Sequence, residues 1–215
     1  MAKFDELKQS LVRGDTPGVS TLVQQFVDQG DEPNLILDDG LLPAMDIVGQ
    51  KFKNNEFFVP QVLFAARAMN AGMDILKPLL IGSGSLKLKG TVVIGTTRGD
   101  QHDIGKNLVV MMLESAGYRV VDLGTDVSTE KFVAAARKEK ADILGMSALM
   151  TTTMAHMPEV VTQCQQEGLK DKVKIIIGGA PVSSEYAHKI GADGFSQSAT
   201  EAVDLVRSLL APKEA

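Results

Sequence analysis

The chain has 215 residues, of which 44% are hydrophobic and 23% are charged, and its formal net charge is -5. This acidic balance, without a Lys/Arg cluster, excludes a nucleic-acid binder with a basic face, and no apolar run is long enough to predict a membrane span. The lone Cys164 excludes an internal disulfide framework and favours a reducing compartment, so we expect a cytoplasmic protein.

Residues 1–82 carry helical hydrophobic spacing throughout. Two helices are predicted within 4–30, a third segment within 31–58 is interrupted at Gly40 and Pro43, and the strongest helix begins near Pro60. We predict four or five antiparallel helices that form a small bundle, a cap domain over 1–82. The Gly/Ser-rich and then basic segment 83–89 is predicted to be a linker.

From residue 90 to residue 215, short β-rich runs alternate with helical segments. Strands are predicted over 91–97, 118–124, 141–149 and 172–180 and within 192–197, and helices over 104–117, 128–140, 153–168, 183–191 and 200–210. This alternation predicts an α/β domain with a Rossmann-like, doubly wound parallel sheet. Five strands fit the flavodoxin-like order 2-1-3-4-5.

Ligands of such sheets bind at the carboxyl ends of the strands. Three stretches are predicted to meet at that edge: 99–105 after the first strand, 147–153 after the third, and 178–181 after the fourth. The first of these contains His102, which lies between Asp100 and Asp103.

Several readings of His102 are open on the residues alone. It could cap a helix or fill a loop, and the neighbouring glycines could be ordinary turn residues. The stretch matches neither phosphate-binding glycine pattern, and its two aspartates would repel a phosphate. Asp100 could orient the imidazole as a metal ligand, yet no second His or Cys lies nearby, as an ordinary zinc or iron site requires. A metal that brings its own equatorial ligands needs only one protein ligand.

The ordered set Asp100-x-His102-x-x-Gly105, Ser147-x-Leu149 and Gly178-Gly179 resembles the DxHxxG, SxL and GG pattern of cobalamin-binding domains. The segment 57–80 resembles the last helix of the cap that precedes this domain in methionine synthase and in corrinoid proteins of methyltransferase systems. The resemblance covers nearly the whole chain.

The resemblance implies a cobalamin or related corrinoid bound base-off and His-on, with His102 as the cobalt ligand. Asp100 would hydrogen-bond the far nitrogen of His102, and Thr153 would extend this relay, in which protonation is coupled to the oxidation state of cobalt. A mobile helical cap would shield the cofactor, with 83–89 as a hinge. The residues expected around the cofactor are Asp100, Gln101, His102, Asp103, Ile104, Gly105, Ser147, Leu149, Thr151, Thr153, Gly178, Gly179, Ala180 and, from the cap, Met69.

Within this family, the chain resembles the shuttle subunit of anaerobic methyltransferase systems, because neither a catalytic barrel nor a DNA-binding domain is evident. Three partners are implied: a substrate-specific methyltransferase, a second methyltransferase that uses tetrahydrofolate or a thiol, and a reductive activator of the corrinoid. The donor could be methanol, a methylamine, a glycine betaine or a phenyl methyl ether, and the sequence is most similar to corrinoid proteins of aromatic O-demethylases. The alternative is a corrinoid sensor or storage protein without turnover.

Overall fold

The computed structural model describes residues 3–82 and 88–211, so most of the predicted linker, 83–87, lies outside the described residues. The chain divides into two compact units, one built mainly from residues up to 82 and the other mainly from residue 88 onward. They are called here the helical unit and the α/β unit.

The described part of the helical unit is built from helices, as the hydrophobic spacing predicts. Asp15 caps the second helix by accepting a hydrogen bond from the Gly18 amide at 3.0 Å. Gly72 lets the last helix pack closely, because a Cβ there would lie 3.1 Å from Leu41 and 3.2 Å from Val19. The helices are α1 Asp5–Val12, α2 Thr16–Asp28, α3 Pro33–Leu35, α4 Leu42–Lys53 and α5 Val59–Gly82.

The predicted interruption at Gly40 and Pro43 is instead a π-helical turn, Ile36–Leu41, that joins α3 directly to α4. Gly40 is buried, and a Cβ on it would lie 2.9 Å from Leu7 of α1. The glycine therefore serves close helix packing rather than a turn. Pro43 is the second residue of α4 and lies just after the π-helical turn, in which the Leu42 amide donates to the Leu37 carbonyl.

The α/β unit contains one five-stranded parallel sheet with the order β2-β1-β3-β4-β5, which confirms the predicted topology. Its core strands β1, β3 and β4 are almost entirely buried because helices cover the sheet. The strands are β1 Thr91–Thr96, β2 Arg119–Asp122, β3 Ile143–Ser147, β4 Lys174–Gly178 and β5 Gly194–Ser196. The helices are α6 Ile104–Ser115, α7 Thr129–Lys138, α8 Thr151–Met154, α9 Met157–Gln166, α10 Ser184–Ile190 and α11 Ala199–Leu210.

The single helix predicted over 153–168 was wrong, because the structure has two helices there, α8 and α9, with a turn at Ala155 and His156. Pro158 lies in the first turn of α9, where proline favours a new helix start. The short α8 thereby keeps Thr153 next to the end of β3.

Among the described residues, the largest side chain that is fully buried is Phe132, on α7. Among the described residues, no helix is long and apolar enough to cross a membrane.

Candidate functional site

The ends of β1, β3 and β4 lie side by side. Thr96 at the end of β1 is in register with Ser147 at the end of β3, and Ser147 is in register with Gly178 at the end of β4. The three stretches that the sequence predicted to meet therefore begin at one edge of the sheet. The strand pairing alone brings them together, since parallel strands end at the same side.

Asp100 is the best-anchored polar residue at this edge, and its side chain is fully buried. Oδ1 accepts hydrogen bonds from the backbone nitrogen and from Nδ1 of His102, both at 2.9 Å. Oδ2 accepts from the Leu149 amide at 2.8 Å and from the Thr153 hydroxyl at 2.6 Å. Four donors therefore compensate for the removal of this carboxylate from water.

These contacts fix the charge of Asp100. Burial by itself raises the pKa of the carboxyl, but the hydrogen bonds from Thr153, from the His102 and Leu149 amides and from the His102 ring outweigh it. The pKa falls from 3.8 to about 2. The group is therefore a carboxylate near neutral pH and can only accept hydrogen bonds.

His102 is consequently held in one tautomer. Because Asp100 is ionised, Nδ1 must donate the bond between them, and this leaves the lone pair on Nε2. The side chain is 50% exposed, so one edge of the imidazole is anchored while the rest reaches solvent. An imidazole oriented in this way suits a metal ligand or a proton acceptor.

The surroundings of His102 are apolar and open. Ile104, in the first turn of α6, is 84% exposed, and Leu149 and Met150 are 48% and 39% exposed. A Cβ on Gly105 would meet no atom within 4 Å. Exposed apolar side chains beside an oriented histidine indicate a site for a large, partly apolar ligand.

The glycine that ends β4, Gly178, and the glycine that follows it, Gly179, are packed differently. Gly179 has a φ of +120°, and a Cβ there would lie 1.9 Å from the Ala148 carbonyl oxygen, so only glycine fits. A Cβ on Gly178 would lie 3.2 Å from the Ser196 carbonyl oxygen, which is a tight but less severe contact. The backbone segments that follow β3 and β4 therefore lie so close together that no side chain fits between them at Gly179.

The other predicted site residues lie around this edge, with one exception. Gln101 accepts a hydrogen bond from the Thr125 hydroxyl at 3.0 Å. Asp103 precedes α6 and accepts from the Asn107 side chain at 3.0 Å, which agrees with a role at the helix start. Thr151 begins α8, and both it and Ala180, which follows Gly179, are exposed. Met69 is buried on α5 of the helical unit, and its contact with a cofactor stays a prediction.

Sequence reasoning missed four polar residues that support the site. Thr96 and Thr97 are buried at the end of β1, where the Thr96 hydroxyl donates to the Asp100 carbonyl at 2.6 Å and the Thr97 hydroxyl to the Thr153 carbonyl at 3.0 Å. Lys106 is buried beside Asp122, 2.5 Å from its carboxylate. Asp126 contacts the loop before His102. A pair of threonines ending an otherwise apolar strand was the available signal for the first two.

The donor set fits a corrinoid better than a bare metal ion. Within residues 3–82 and 88–211, no group of three or more His, Cys, Asp or Glu side chains is arranged to hold a metal. His102 offers one oriented nitrogen next to an open apolar face, which suits a metal that arrives in its own macrocycle. The residues present therefore fit the group that the sequence motif implies.

Two family models match the chain, and each describes a B12 binding domain. One matches residues 90–207, more than half of the chain, and the other matches residues 3–77. The two matches fall in the α/β unit and in the helical unit respectively.

Relatives of known name support the same family. The chain is 42% identical to a corrinoid protein of Desulfitobacterium hafniense, over 98% of both chains. It is also 42% identical to trimethylamine corrinoid protein 1 of Methanosarcina acetivorans, over 98% of this chain and all of the relative. The crystal structure of the methanol:cobalamin methyltransferase complex of Methanosarcina barkeri matches with a TM-score of 0.87 and 33% identity, covering 97% of this chain and 79% of that chain.

The motif on the strand ends, the family models and the relatives agree on one cofactor, cobalamin or a related corrinoid with its cobalt. The chain belongs to the B12-binding corrinoid proteins of methyltransferase systems.

Proposed function

We propose that this protein is a methyl carrier, which receives a methyl group from one methyltransferase and gives it to another. The observation that supports this most is the Asp100–His102–Thr153 network, because a buried carboxylate orients a half-exposed imidazole at the strand ends. A protein that only stores a corrinoid does not need its axial ligand to be tied to a buried, ionised group.

In this proposal, His102 Nε2 would bind the cobalt, and Gly105, Ser147, Leu149, Gly178 and Gly179 would line the slot for the cofactor's tail. When bound, the corrinoid supplies a cobalt that accepts and releases the methyl group. Gln101, Asp103, Ile104, Thr151 and Ala180 lie along the rim of the same edge and would contact the cofactor at its margins.

The same network would also stabilise a proton. With no metal on it, His102 Nε2 would accept a proton, and the Asp100 carboxylate would stabilise the imidazolium through Nδ1. Because Thr153 and the Leu149 amide favour the ionised carboxylate, the proton would stay on the ring rather than pass to Asp100. A metal and a proton would thereby compete for one atom, His102 Nε2.

The partners we propose are a donor-specific methyltransferase, a second methyltransferase that uses tetrahydrofolate or a thiol, and a reductive activator. A trimethylamine corrinoid protein and the corrinoid subunit of a methanol methyltransferase are both similar to this chain, which favours a methylamine or methanol as the donor. Phenyl methyl ethers and glycine betaine are the remaining candidates, because the partner enzyme selects the donor.

We also propose that residues 1–82 form a cap that covers the cofactor with Met69 among its contacts, that 83–89 form the linker, and that 90–215 form the cobalamin-binding domain. A cytoplasmic location fits the lone Cys164, which is buried and whose burial raises the pKa of its thiol to about 11.

The experiment that tests the ligand uses protein reconstituted with hydroxocobalamin. After reduction to the paramagnetic state, electron paramagnetic resonance shows whether the axial nitrogen belongs to a protein histidine, since ¹⁵N-histidine changes the splitting. We expect that change in the wild type and its loss in His102→Ala. His156→Ala is the matched control, because His156 lies at the turn before α9.

The carrier role is tested by single-turnover methylation of the reduced holoprotein. Donors from the four classes are each presented with a donor-specific methyltransferase, and transfer to tetrahydrofolate or a thiol is measured with a second one. We expect one donor class to methylate the wild type and His102→Ala to accept much less. A holoprotein that binds the corrinoid but accepts no methyl group from any donor indicates a sensor or storage protein instead.

A further inference from the structure

The loop between β2 and α7 supports the loop that carries His102, although no motif residue lies on it. Residues 123–127 run alongside the end of β1, where the Thr96 amide donates to the Gly124 carbonyl at 3.1 Å and the Val127 amide donates to the Thr96 carbonyl at 3.0 Å. The two loops are therefore fixed to the same point of the sheet.

Asp126 makes the bonds that cross between these loops. Its Oδ1 accepts from the Gly99 amide at 2.6 Å. Its own amide lies 3.0 Å from both the Asp100 carbonyl oxygen and the Thr96 hydroxyl. The Thr96 hydroxyl in turn donates to the Asp100 carbonyl at 2.6 Å. The backbone at 99–100 is thus held by Asp126 from one side, while the Asp100 side chain holds His102 on the other.

The conformation of Asp126 separates its backbone role from its side-chain role. Its φ is +52°, in the left-handed region, which glycine adopts without cost and which aspartate and asparagine tolerate better than other residues. Glycine would satisfy the backbone there, and the two bonds from the Asp126 amide would remain. What glycine would lack is the carboxylate that accepts a hydrogen bond from the Gly99 amide.

We propose that Asp126 is a positioning residue for the cobalt ligand, because its carboxylate holds the Gly99 amide and thereby fixes the turn from which Asp100 orients His102. This inference rests on the proposed role of His102. A second bond, from Thr125 to Gln101, joins the same two loops at their exposed rim and acts in the same sense.

Two substitutions test the proposal without straining the backbone. Asp126→Gly keeps the left-handed conformation and removes the acceptor, whereas Asp126→Asn keeps both the conformation and an acceptor oxygen. Thermal unfolding of both variants checks that they fold. The measurements are amide hydrogen exchange at Gly99 in the cofactor-free protein, hydroxocobalamin affinity, and the fraction of reduced holoprotein that shows the ¹⁵N-histidine splitting.

In Asp126→Gly, we expect exchange at Gly99 to be about tenfold faster and hydroxocobalamin binding to be about tenfold weaker, the size of one charge-assisted hydrogen bond. The histidine-bound fraction should fall as well. Asp126→Asn should stay within about threefold of the wild type in each measurement, because a neutral acceptor replaces a charged one.

Wild-type behaviour of Asp126→Gly in both exchange and histidine ligation would overturn the proposal. The proposal is also overturned if Asp126→Asn changes Gly99 exchange, hydroxocobalamin affinity and the histidine-bound fraction as much as Asp126→Gly does. The acceptor oxygen that asparagine retains would then make no difference. A wild-type holoprotein without histidine splitting overturns the proposed function itself, whereas normal wild-type splitting with an unaffected Asp126→Gly overturns only the positioning role.

Discussion

The site has two layers, one in which the residues are held by contacts within the protein and one in which they are exposed. The packed layer, Thr96, Asp100, Thr153 and Gly179, is held by hydrogen bonds and close backbone contacts. The open face, His102, Ile104, Gly105 and Leu149, presents exposed side chains and unfilled space. The contrast indicates that folding completes the support and leaves the face open, and in the proposed function the cofactor would complete that face. Substitutions in the packed layer should therefore change the free energy of unfolding, and substitutions of residues on the open face that make no hydrogen bond to Asp100 should change mainly cofactor affinity.

The most severe test of the packed layer is Gly179→Ala. The new Cβ would lie 1.9 Å from the Ala148 carbonyl oxygen at a backbone φ of +120°, so the chain after β4 must shift. We expect the free energy of unfolding, measured by urea denaturation, to fall by about 3 kcal/mol or more. Gly178→Ala, with a closest contact of 3.2 Å, is the matched control and should lose clearly less. If Gly179→Ala is as stable as the wild type, then the backbone at Gly179 is not packed too closely for a Cβ.

Acid should weaken the same layer through Asp100. Its pKa is about 2 in the folded protein and 3.8 ordinarily, so its contribution is fully present above pH 3.8 and is lost as the pH falls through about 2. The difference corresponds to about 2 kcal/mol. Asp100→Asn should abolish this contribution, because it removes the charge and places an amide nitrogen, itself a donor, among the donors that now bond to the carboxylate. Urea denaturation between pH 2 and pH 6 gives the free energy of unfolding of the wild type and of Asp100→Asn. The difference between these two free energies should shrink as the pH falls, because the other carboxyl groups contribute equally to both proteins.

If the difference between wild type and Asp100→Asn does not narrow as the pH falls, then the Asp100 carboxylate does not stabilise the fold through its charge. The four hydrogen bonds that Asp100 accepts would then orient the loop without adding to the stability of the fold.

A smaller effect is expected at Thr153. Thr153→Val removes the hydroxyl that donates to Asp100 at 2.6 Å and keeps the shape of the side chain. We expect a loss of about 1 to 2 kcal/mol in the free energy of unfolding and a higher pKa for Asp100. Thr153→Ser keeps the hydroxyl and should stay close to the wild type, so a serine variant as unstable as the valine variant would assign the effect to packing instead.

The smallest effect on folding, and the sharpest test of the open face, is Gly105→Ala. Its Cβ would meet no atom within 4 Å, so the free energy of unfolding should change by less than about 1 kcal/mol. If the cofactor fills this space, hydroxocobalamin affinity should fall markedly at unchanged stability. Titration of the cofactor-free variant measures this, and an affinity equal to that of the wild type would place the cofactor elsewhere.

Much of the fold was predictable because its signals are local. The central strands β1, β3 and β4 are short, mainly apolar runs, the connecting helices have their own periodicity, and the parallel topology follows from their alternation. The approach of Asp100, Ser147 and Gly178 then follows from the sheet, since all three lie at or after strand ends. The proline in the first turn of α9 was a local signal that a helix begins there, and it was overlooked.

The features that the sequence did not reveal depend on distant partners. The π-helical turn at Ile36–Leu41 packs Gly40 against Leu7, a contact that no local pattern encodes. Thr153 was placed by family resemblance, whereas Asp126 matches no motif and matters only because the β2–α7 loop lies against β1. The identity of a glycine or an aspartate in a loop does not reveal whether the residue serves close packing, a turn or ligand binding.

The four donors to Asp100 have a consequence for the order of events during biogenesis. The Leu149 amide and the Thr153 hydroxyl are 49 and 53 residues away along the chain, beyond two strands, β2 and β3, and two helices, α6 and α7. Those bonds form only after β1 and β3 have paired, which requires the closure of a long loop. A nascent chain whose third βα repeat is still unfolded therefore has the histidine but lacks two of the bonds that hold the carboxylate orienting it. In the proposed function, loading of the cofactor is expected to follow folding.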